Sequence, residues 1–167
     1  FSIAKALDRA VADECDLINL SLGGGPADEL TGTAIADARA AGALVLVAAG
    51  NDGRQPVSFP AHDARSIAIS ALGRKGTFPA SSTESGDVAK PFGKDKQDFI
   101  AAFSNIGAEI DVTGTGVGII STVPGGYAPM SGTSMACPAV TGFAARLLAT
   151  RAEILQMDRD QGRSDAM

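Results

Sequence analysis

The stretch Asp16-Leu17-Ile18-Asn19-Leu20-Ser21-Leu22, closed by Gly23-Gly24-Gly25-Pro26, decides how the rest of the chain is read. A short apolar run ending in glycines and a proline is a buried strand feeding a tight loop. On its N-terminal side Ile3, Leu7, Val11 and Cys15 recur every four residues. Lys5, Asp8, Arg9 and Asp13 fall largely on other faces, which predicts an amphipathic helix over Ser2–Glu14. On its C-terminal side Asp28 is placed to cap a second helix running through Ala41 and stopping at Gly42. Ala43–Ala49 (ALVLVAA) predicts a second buried strand that again runs into a glycine-rich loop, Gly50–Gly53, and Ser66–Leu72 (SIAISAL) predicts a third. Helix, strand, helix, strand with nearly continuous apolar strands specifies an α/β fold. The expectation is a three-layer α/β/α sandwich around a mostly parallel sheet.

From Gly73 to Phe99 the texture changes: 27 residues carry nine charges, and Gly, Ser and Pro interrupt every period. This reads as a polar surface insertion at about 73–99 within a single domain over 1–167. Strand-like pieces resume at Glu109–Val112 and Val117–Ser121, followed by an extended piece at Tyr127–Met130. A long apolar helix is expected from about Ser134 to Met157, and Asp158–Met167 reads as a polar, frayed end.

Composition narrows the function. The chain has 167 residues, 45% hydrophobic and 20% charged, enough to bury a real core. Thirty alanines and 20 glycines against 5% aromatics suit closely packed elements with tight turns. A net charge of −5 argues against wrapping nucleic acid or lying on an anionic membrane. The uncharged apolar stretch most worth testing as a span, Ala41–Gly50, is ten residues and too short to cross a bilayer. Cys15 and Cys137 lie 122 positions apart and form no disulfide framework, and one histidine makes a zinc cluster a poor expectation. That histidine, His62, is also the one imidazole this chain offers as a general base. The chain begins at Phe1, inside the first helix, so its N-terminus reads as cut and carries no address.

The segment that carries chemistry is Ser131-Gly132-Thr133-Ser134-Met135-Ala136-Cys137-Pro138. It places a serine in the first turn of a helix, straight after a glycine bend, with Pro138 tolerated because first-turn amides have no internal partner. The free N–H groups of such a turn stabilise a nearby anion. The plainer reading is that Ser131 or Ser134 only caps the helix. Two glycine-rich runs offer a rival, a phosphate-cradling module. Gly23-Gly24-Gly25 lacks the Lys-Ser/Thr of a P-loop, and Gly114-Thr115-Gly116-Val117-Gly118 is followed by Ile119 where the dinucleotide fingerprint needs glycine.

Gly-Thr-Ser-Met-Ala followed by Pro138 resembles the nucleophile motif of the subtilisin-like serine proteases, the subtilases. Further landmarks follow in the family's order. Ile18-Asn19-Leu20-Ser21-Leu22-Gly23 is similar to the strand whose Ser-Leu-Gly end pairs with substrate backbone, and Ala48-Ala49-Gly50-Asn51 to the oxyanion-hole segment. Phe59-Pro60-Ala61 resembles the stretch near the primary specificity pocket. Phe103-Ser104-Asn105-Ile106-Gly107 and Gly114-Thr115-Gly116-Val117 resemble the connection between these sites and the nucleophile.

The resemblance implies roles. Ser134 attacks the scissile carbonyl to form an acyl-enzyme. The Asn51 side-chain amide and the Ser134 N–H hold the oxyanion, with Thr133 in support. Ser21, Leu22 and Gly23 bind an extended peptide as an added strand. Ala48, Ala49 and Gly50 wall the specificity pocket, with Ser58 near its base. The implied partner is a peptide or protein substrate, with no nucleic acid and no membrane span. No cofactor is required for the chemistry. Structural calcium is compatible with the family, with Asp87, Asp95 and Asp98 as conceivable ligands beside a plainer reading as solvated charges. A secreted or extracytoplasmic site is implied by the resemblance only.

Two features depart from the family. In subtilases the triad order is Asp, His, Ser, and both earlier members precede the Ser-Leu-Gly strand. The 20 residues before Ser21 hold no Asp-Thr-Gly, Asp-Ser-Gly or His-Gly-Thr. Asp8, Asp13 and Asp16 read as solvated, and His62 follows the aromatic-Pro-Ala stretch, where the family has no base. Position 139 is Ala139 where many members carry a histidine. The expectation is therefore the C-terminal part of a subtilase catalytic domain, its N-terminal strands missing. Such a fragment is expected to be inactive by itself and to self-associate through the exposed edge of the Asp16–Leu22 strand. A non-catalytic pseudoprotease that keeps the peptide groove remains the alternative.

Overall fold

A computed structural model describes residues 2–88 and 95–167. α1 (Ser2–Ala12) turns Ala4 and Leu7 inward. β1 (Leu17–Leu20) follows, then α2 (Glu29–Ala40), whose Asp28 cap accepts from the N–H groups of Leu30 and Thr31. β2 (Leu44–Ala48) lies parallel to β1, with Leu17 opposite Leu44 and Leu20 opposite Val47. β3 (Ile67–Arg74) pairs in parallel with β2 along Ile67–Ile69 and, on its other edge, with β5 (Ile110–Thr115) along Ala68–Leu72. The sheet is mostly parallel and covered on both faces, the α/β sandwich expected from the strand patterning.

β2 shows why its sequence has no polar alternation. Val45 and Val47 pack with Leu7, Ile35 and Ala38 of α1 and α2. Leu46 and Ala48 point the other way, into a cluster with Ala136 and Cys137 of α3 (Thr133–Leu148). Successive side chains face opposite sides of a sheet, so a strand buried on both faces is apolar at every position.

The polar stretch at 73–99 is not wholly a surface insertion. Its first residues, Gly73 and Arg74, end β3, and its last form β4 (Asp98–Ile100), antiparallel to β3 with Leu72 opposite Ile100. Phe99 is 2% exposed and meets Phe78 edge-on at 6.3 Å between centroids. A 3-10 turn spans Thr83–Asp87. Polar neighbours masked this short edge strand, whose one inward side chain leaves no readable period. Residues 89–94 of the expected insertion lie outside the described residues.

β6 (Ile119–Val123) and β7 (Gly126–Met130) form a separate antiparallel ribbon leading to Ser131 and the start of α3. α3 ends at Leu148 rather than Met157, and a short α4 follows at Ala152–Leu155.

The chain end is a clasp rather than a frayed tail. α5 (Gln161–Ala166) buries Arg163 to 2% exposure. Its guanidinium donates to Asp16 Oδ1 at 2.7 Å, to the Gly42 carbonyl at 3.0 Å and to the Ile154 carbonyl at 3.3 Å. Arg159 adds donation to Asp16 at 2.9 Å and to the Cys15 carbonyl at 2.8 Å. Partial burial pushes the Asp16 carboxyl up, but the hydrogen bonds and charges of both arginines outweigh it and hold it below the usual carboxylate range. The tail is ordered by polar contacts, for which apolar periodicity gives no signal.

Candidate active site

Ser134 is the second residue of α3, straight after Gly132 and Thr133. Its hydroxyl donates to the Ser21 carbonyl at 3.2 Å, and the Ser21 hydroxyl donates back to the Ser134 carbonyl at 2.9 Å. Pro138 explains the second bond. It is the sixth helical residue, not a first-turn one as the sequence reading had it, and its missing N–H leaves the Ser134 carbonyl without its i+4 donor. Ser21 supplies that donor, and Asn19 Nδ2 donates to Ser21 Oγ at 2.9 Å to orient it. The nucleophile candidate is thus tied to the end of β1.

Asn51 approaches from the end of β2. Its Oδ1 accepts from the Thr133 N–H at 2.8 Å and from the Thr133 hydroxyl at 3.0 Å. With the oxygen held, the amide nitrogen remains to donate elsewhere, and it lies beside the Gly132 bend, 3.8 Å from where a Cβ on Gly132 would sit. Thr133 is fully buried, and its Oγ1 also accepts from the Gly50 N–H at 3.3 Å. The N–H of Ser134 lies in the first helical turn, which supplies no internal acceptor. The Asn51 side-chain amide and the Ser134 backbone amide are thus two donors at the start of α3, both within 4 Å of where a Cβ on Gly132 would sit.

The loop carrying Asn51 rests on Asn105, to which the sequence reading assigned no role. Asn105 is 0% exposed. Its Nδ2 donates to the Ala49 carbonyl at 3.2 Å and to Asp52 Oδ2 at 2.8 Å, and its Oδ1 accepts from the Asp52 N–H at 2.8 Å. Its own N–H donates to the Gly50 carbonyl at 2.9 Å. Gly50 sits at φ +108°, and a Cβ there would meet Ser58 Oγ at 2.8 Å and the Asn105 amide closer still. The signal available in sequence was a polar Ser104-Asn105 pair between Phe103 and Ile106.

These elements surround a cleft of about 290 Å³ lined by Leu22, Gly23, Gly24, Ala48, Gly50, Asn51, Asp52, Ser58, Thr133 and Ser134. It lies at the carboxyl ends of β1 and β2, where α/β sheets place ligand sites. Ser21 touches Ser134 rather than lining the cleft. Ala49 turns its side chain into the α1/α2 core and contributes its carbonyl, which accepts from the Ser58 N–H and hydroxyl. Asp52 is the lining carboxylate that sequence reading passed over.

Other candidates lie elsewhere. His62 meets Phe59 at a tilt of 58° with centroids 5.5 Å apart and lines a separate depression with Asp28, Asp63 and Arg65. Cys137 is fully buried, and burial pushes its thiol up to about 11. Asp95 Oδ1 accepts from the N–H groups of Gln97 and Asp98, and Asp98 faces Arg74 at 3.3 Å. Among the described residues no three His, Cys, Asp or Glu side chains gather as a metal would need. No helix among them is long and apolar enough to cross a membrane.

Comparison with known proteins places this geometry. A family model described as the Subtilase family matches residues 1–163. Alkaline elastase YaB of Bacillus sp. (strain YaB) is 37% identical over 144 residues, covering 86% of this chain and 32% of that protein. Halolysin of Haloferax mediterranei is 39% identical over 149 residues, covering 88% of this chain and 24% of that protein. Among solved structures, the patellamide maturation protease PatA matches with a TM-score of 0.73 at 28% identity, over 95% of this chain and 53% of that one. A cold adapted subtilisin-like serine proteinase matches with a TM-score of 0.67 at 28% identity, over 88% and 47%. The chain therefore spans a third or less of those two sequence relatives and about half of those two solved chains. On a match that covers nearly its whole length, the chain belongs to the subtilase family.

Proposed function

We propose that this chain is the nucleophile-bearing, C-terminal part of a subtilase catalytic domain, acting in the intact protein as a serine endopeptidase. Ser134 attacks the peptide carbonyl as a base from outside this chain takes its hydroxyl proton, the carbonyl oxygen becomes an oxyanion held by Asn51 Nδ2 and the Ser134 N–H, and collapse expels the amine, which leaves with that proton, to give an acyl-enzyme. Water then releases the acid. The chemistry needs no cofactor from this chain. Ser21, Leu22 and Gly23 offer backbone to an extended peptide, and Ala48, Gly50 and Ser58 shape the pocket for the side chain preceding the scissile bond. The observation that carries the reading is the anchoring of Asn51 Oδ1 on Thr133, which leaves the amide nitrogen at the helix start beside Ser134.

The base and its orienting carboxylate are to come from residues outside this chain, because His62 faces a different depression. By itself the chain is then a poor catalyst, and β1, with β2 as its one strand neighbour among the described residues, offers a free edge for self-association. Secretion is the setting in which such a protease would work.

The test is hydrolysis of chromogenic peptides by the intact protein, together with fluorophosphonate labelling. Turnover that is lost in Ser134→Ala, with the label on Ser134, supports the reading. Peptide binding without turnover or labelling would establish a pseudoprotease instead.

A further inference from the structure

Resting on that reading, we propose that Asn105 is a positioning residue for the oxyanion hole: its buried side chain clamps residues 49–52 and so sets the direction in which Asn51 presents its amide. Asn51 itself is anchored on one side only, through Oδ1 to Thr133. Its backbone belongs to a loop that leaves β2 at Ala48, and its last bond to a strand is the one from the Ala49 N–H to the Ile69 carbonyl of β3 at 2.9 Å. Past that bond Asn105 takes over as a partner. Its backbone N–H takes the Gly50 carbonyl, its Nδ2 takes the Ala49 carbonyl and the Asp52 carboxylate, and its Oδ1 takes the Asp52 N–H. The residues on both sides of Asn51 are therefore bound by one side chain that is 0% exposed.

The clamp is itself held. The Asn105 carbonyl accepts from the Ser104 hydroxyl at 3.1 Å, and Ser104 Oγ accepts from the Ala71 N–H at 3.0 Å, which ties the assembly to β3. The arrangement uses all of the Asn105 amide: both acceptor and donor ends are engaged, in geometry an aspartate, serine or alanine does not reproduce. Asn105 does not reach the reacting atoms and acts through Asn51. Because an oxyanion donor works only when aimed at the place where charge develops, a loosened loop should reduce turnover more than substrate binding.

The experiment combines two readouts. On this chain, amide hydrogen exchange at Asp52 and Thr133 should accelerate in Asn105→Ala and in Asp52→Ala, and should recover in Asp52→Asn, whose side-chain oxygen still accepts from Asn105. On the intact protein, Asn105→Ala should lower kcat by about 10- to 100-fold with little change in KM, by the cost of slight misplacement. In an Asn51→Ala background the same substitution should cost almost nothing. Should Asn105→Ala fail to fold, Asp52→Ala carries both readouts, since its side chain is exposed. Unchanged exchange at Asp52 and Thr133, or losses that simply multiply with those of Asn51→Ala, would overturn the assignment. Hydrolysis that survives Ser134→Ala would instead sink the protease reading, while the exchange result still judges the clamp.

Discussion

The hydroxyl of Ser21 donates to the carbonyl of Ser134 at 2.9 Å, the position that Pro138 leaves without an intrahelical donor. One proline in α3 and one serine at the end of β1 are thus coupled through Ser134. Ser21→Ala should destabilise the chain by about 0.5–1.5 kcal/mol, the net worth of one hydrogen bond. Pro138→Ala restores an N–H to the helix, so it should be more favourable in the Ser21→Ala background than in the wild-type one. Urea midpoints of the four combinations measure this coupling; strictly additive values would refute it.

Thr133 is the second prediction. Its hydroxyl donates to Asn51 and accepts from the Gly50 N–H inside a fully buried site. Thr133→Val keeps the shape and strands that N–H, at an expected cost of about 1–3 kcal/mol. Thr133→Ser should recover most of it. In the intact protein, turnover should fall at least about tenfold in the valine variant, because Asn51 loses one of its anchors. For scale, deleting such an asparagine costs roughly 10²–10³ in turnover, a figure that comes from a subtilisin and not from this chain.

Gly50 admits no side chain. At φ +108° an alanine is strained, and its Cβ would meet Ser58 Oγ at 2.8 Å. Gly50→Ala should therefore cost about 2 kcal/mol or more, and should abolish turnover through the displaced Asn51. Thermal melts beside peptide hydrolysis check both parts.

The clasp predicts a pH dependence. The Asp16 carboxyl is held below its ordinary value of 3.8, so its contribution is complete above the unfolded pKa and is lost as pH falls through the lower folded one. Asp16→Asn leaves Arg163, 2% exposed, with the Gly42 and Ile154 carbonyls but no counter-charge, and should cost about 1–3 kcal/mol at neutral pH. Asp16 itself is 35% exposed, so water screens the pair and keeps the cost below that of a fully buried one. Urea midpoints of wild type and variant should converge well below pH 3.8. A gap that persists undiminished in strong acid would mean that the pair is not what Asp16 contributes.

The two cysteines should react differently. Cys137 is fully buried with its thiol pushed up to about 11, while Cys15 is half-buried. Folded protein at pH 8 should give up Cys15 to a disulfide reagent well before Cys137, and unfolding should make the rates similar. Equal rates in the folded state would contradict the packing around α3. The same inertness argues that an electrophile bound in the cleft modifies Ser134 rather than the thiol one turn later.

Much of this protein was legible in its residues. Apolar runs such as ALVLVAA are readable as strands because both faces of the sheet are covered, and Asp28 caps α2 where its type and place demanded. Local chemistry marked Ser134 as a serine in the first turn of a helix, while Asn51 was nameable only through the resemblance of Ala48-Ala49-Gly50-Asn51 to a subtilase segment. What the sequence did not disclose is polar and long-range. Asn105 holds the loop of residues 49–52 across 53 to 56 positions, and Arg163 reaches Asp16 across 147. Neither bond has a period or a spacing, since a hydrogen bond is set by where two groups meet in space. The chain's identity and its principal residues were local properties; the aim of Asn51 and the anchoring of the tail exist only once distant carbonyls and side chains are brought within about 3 Å of each other.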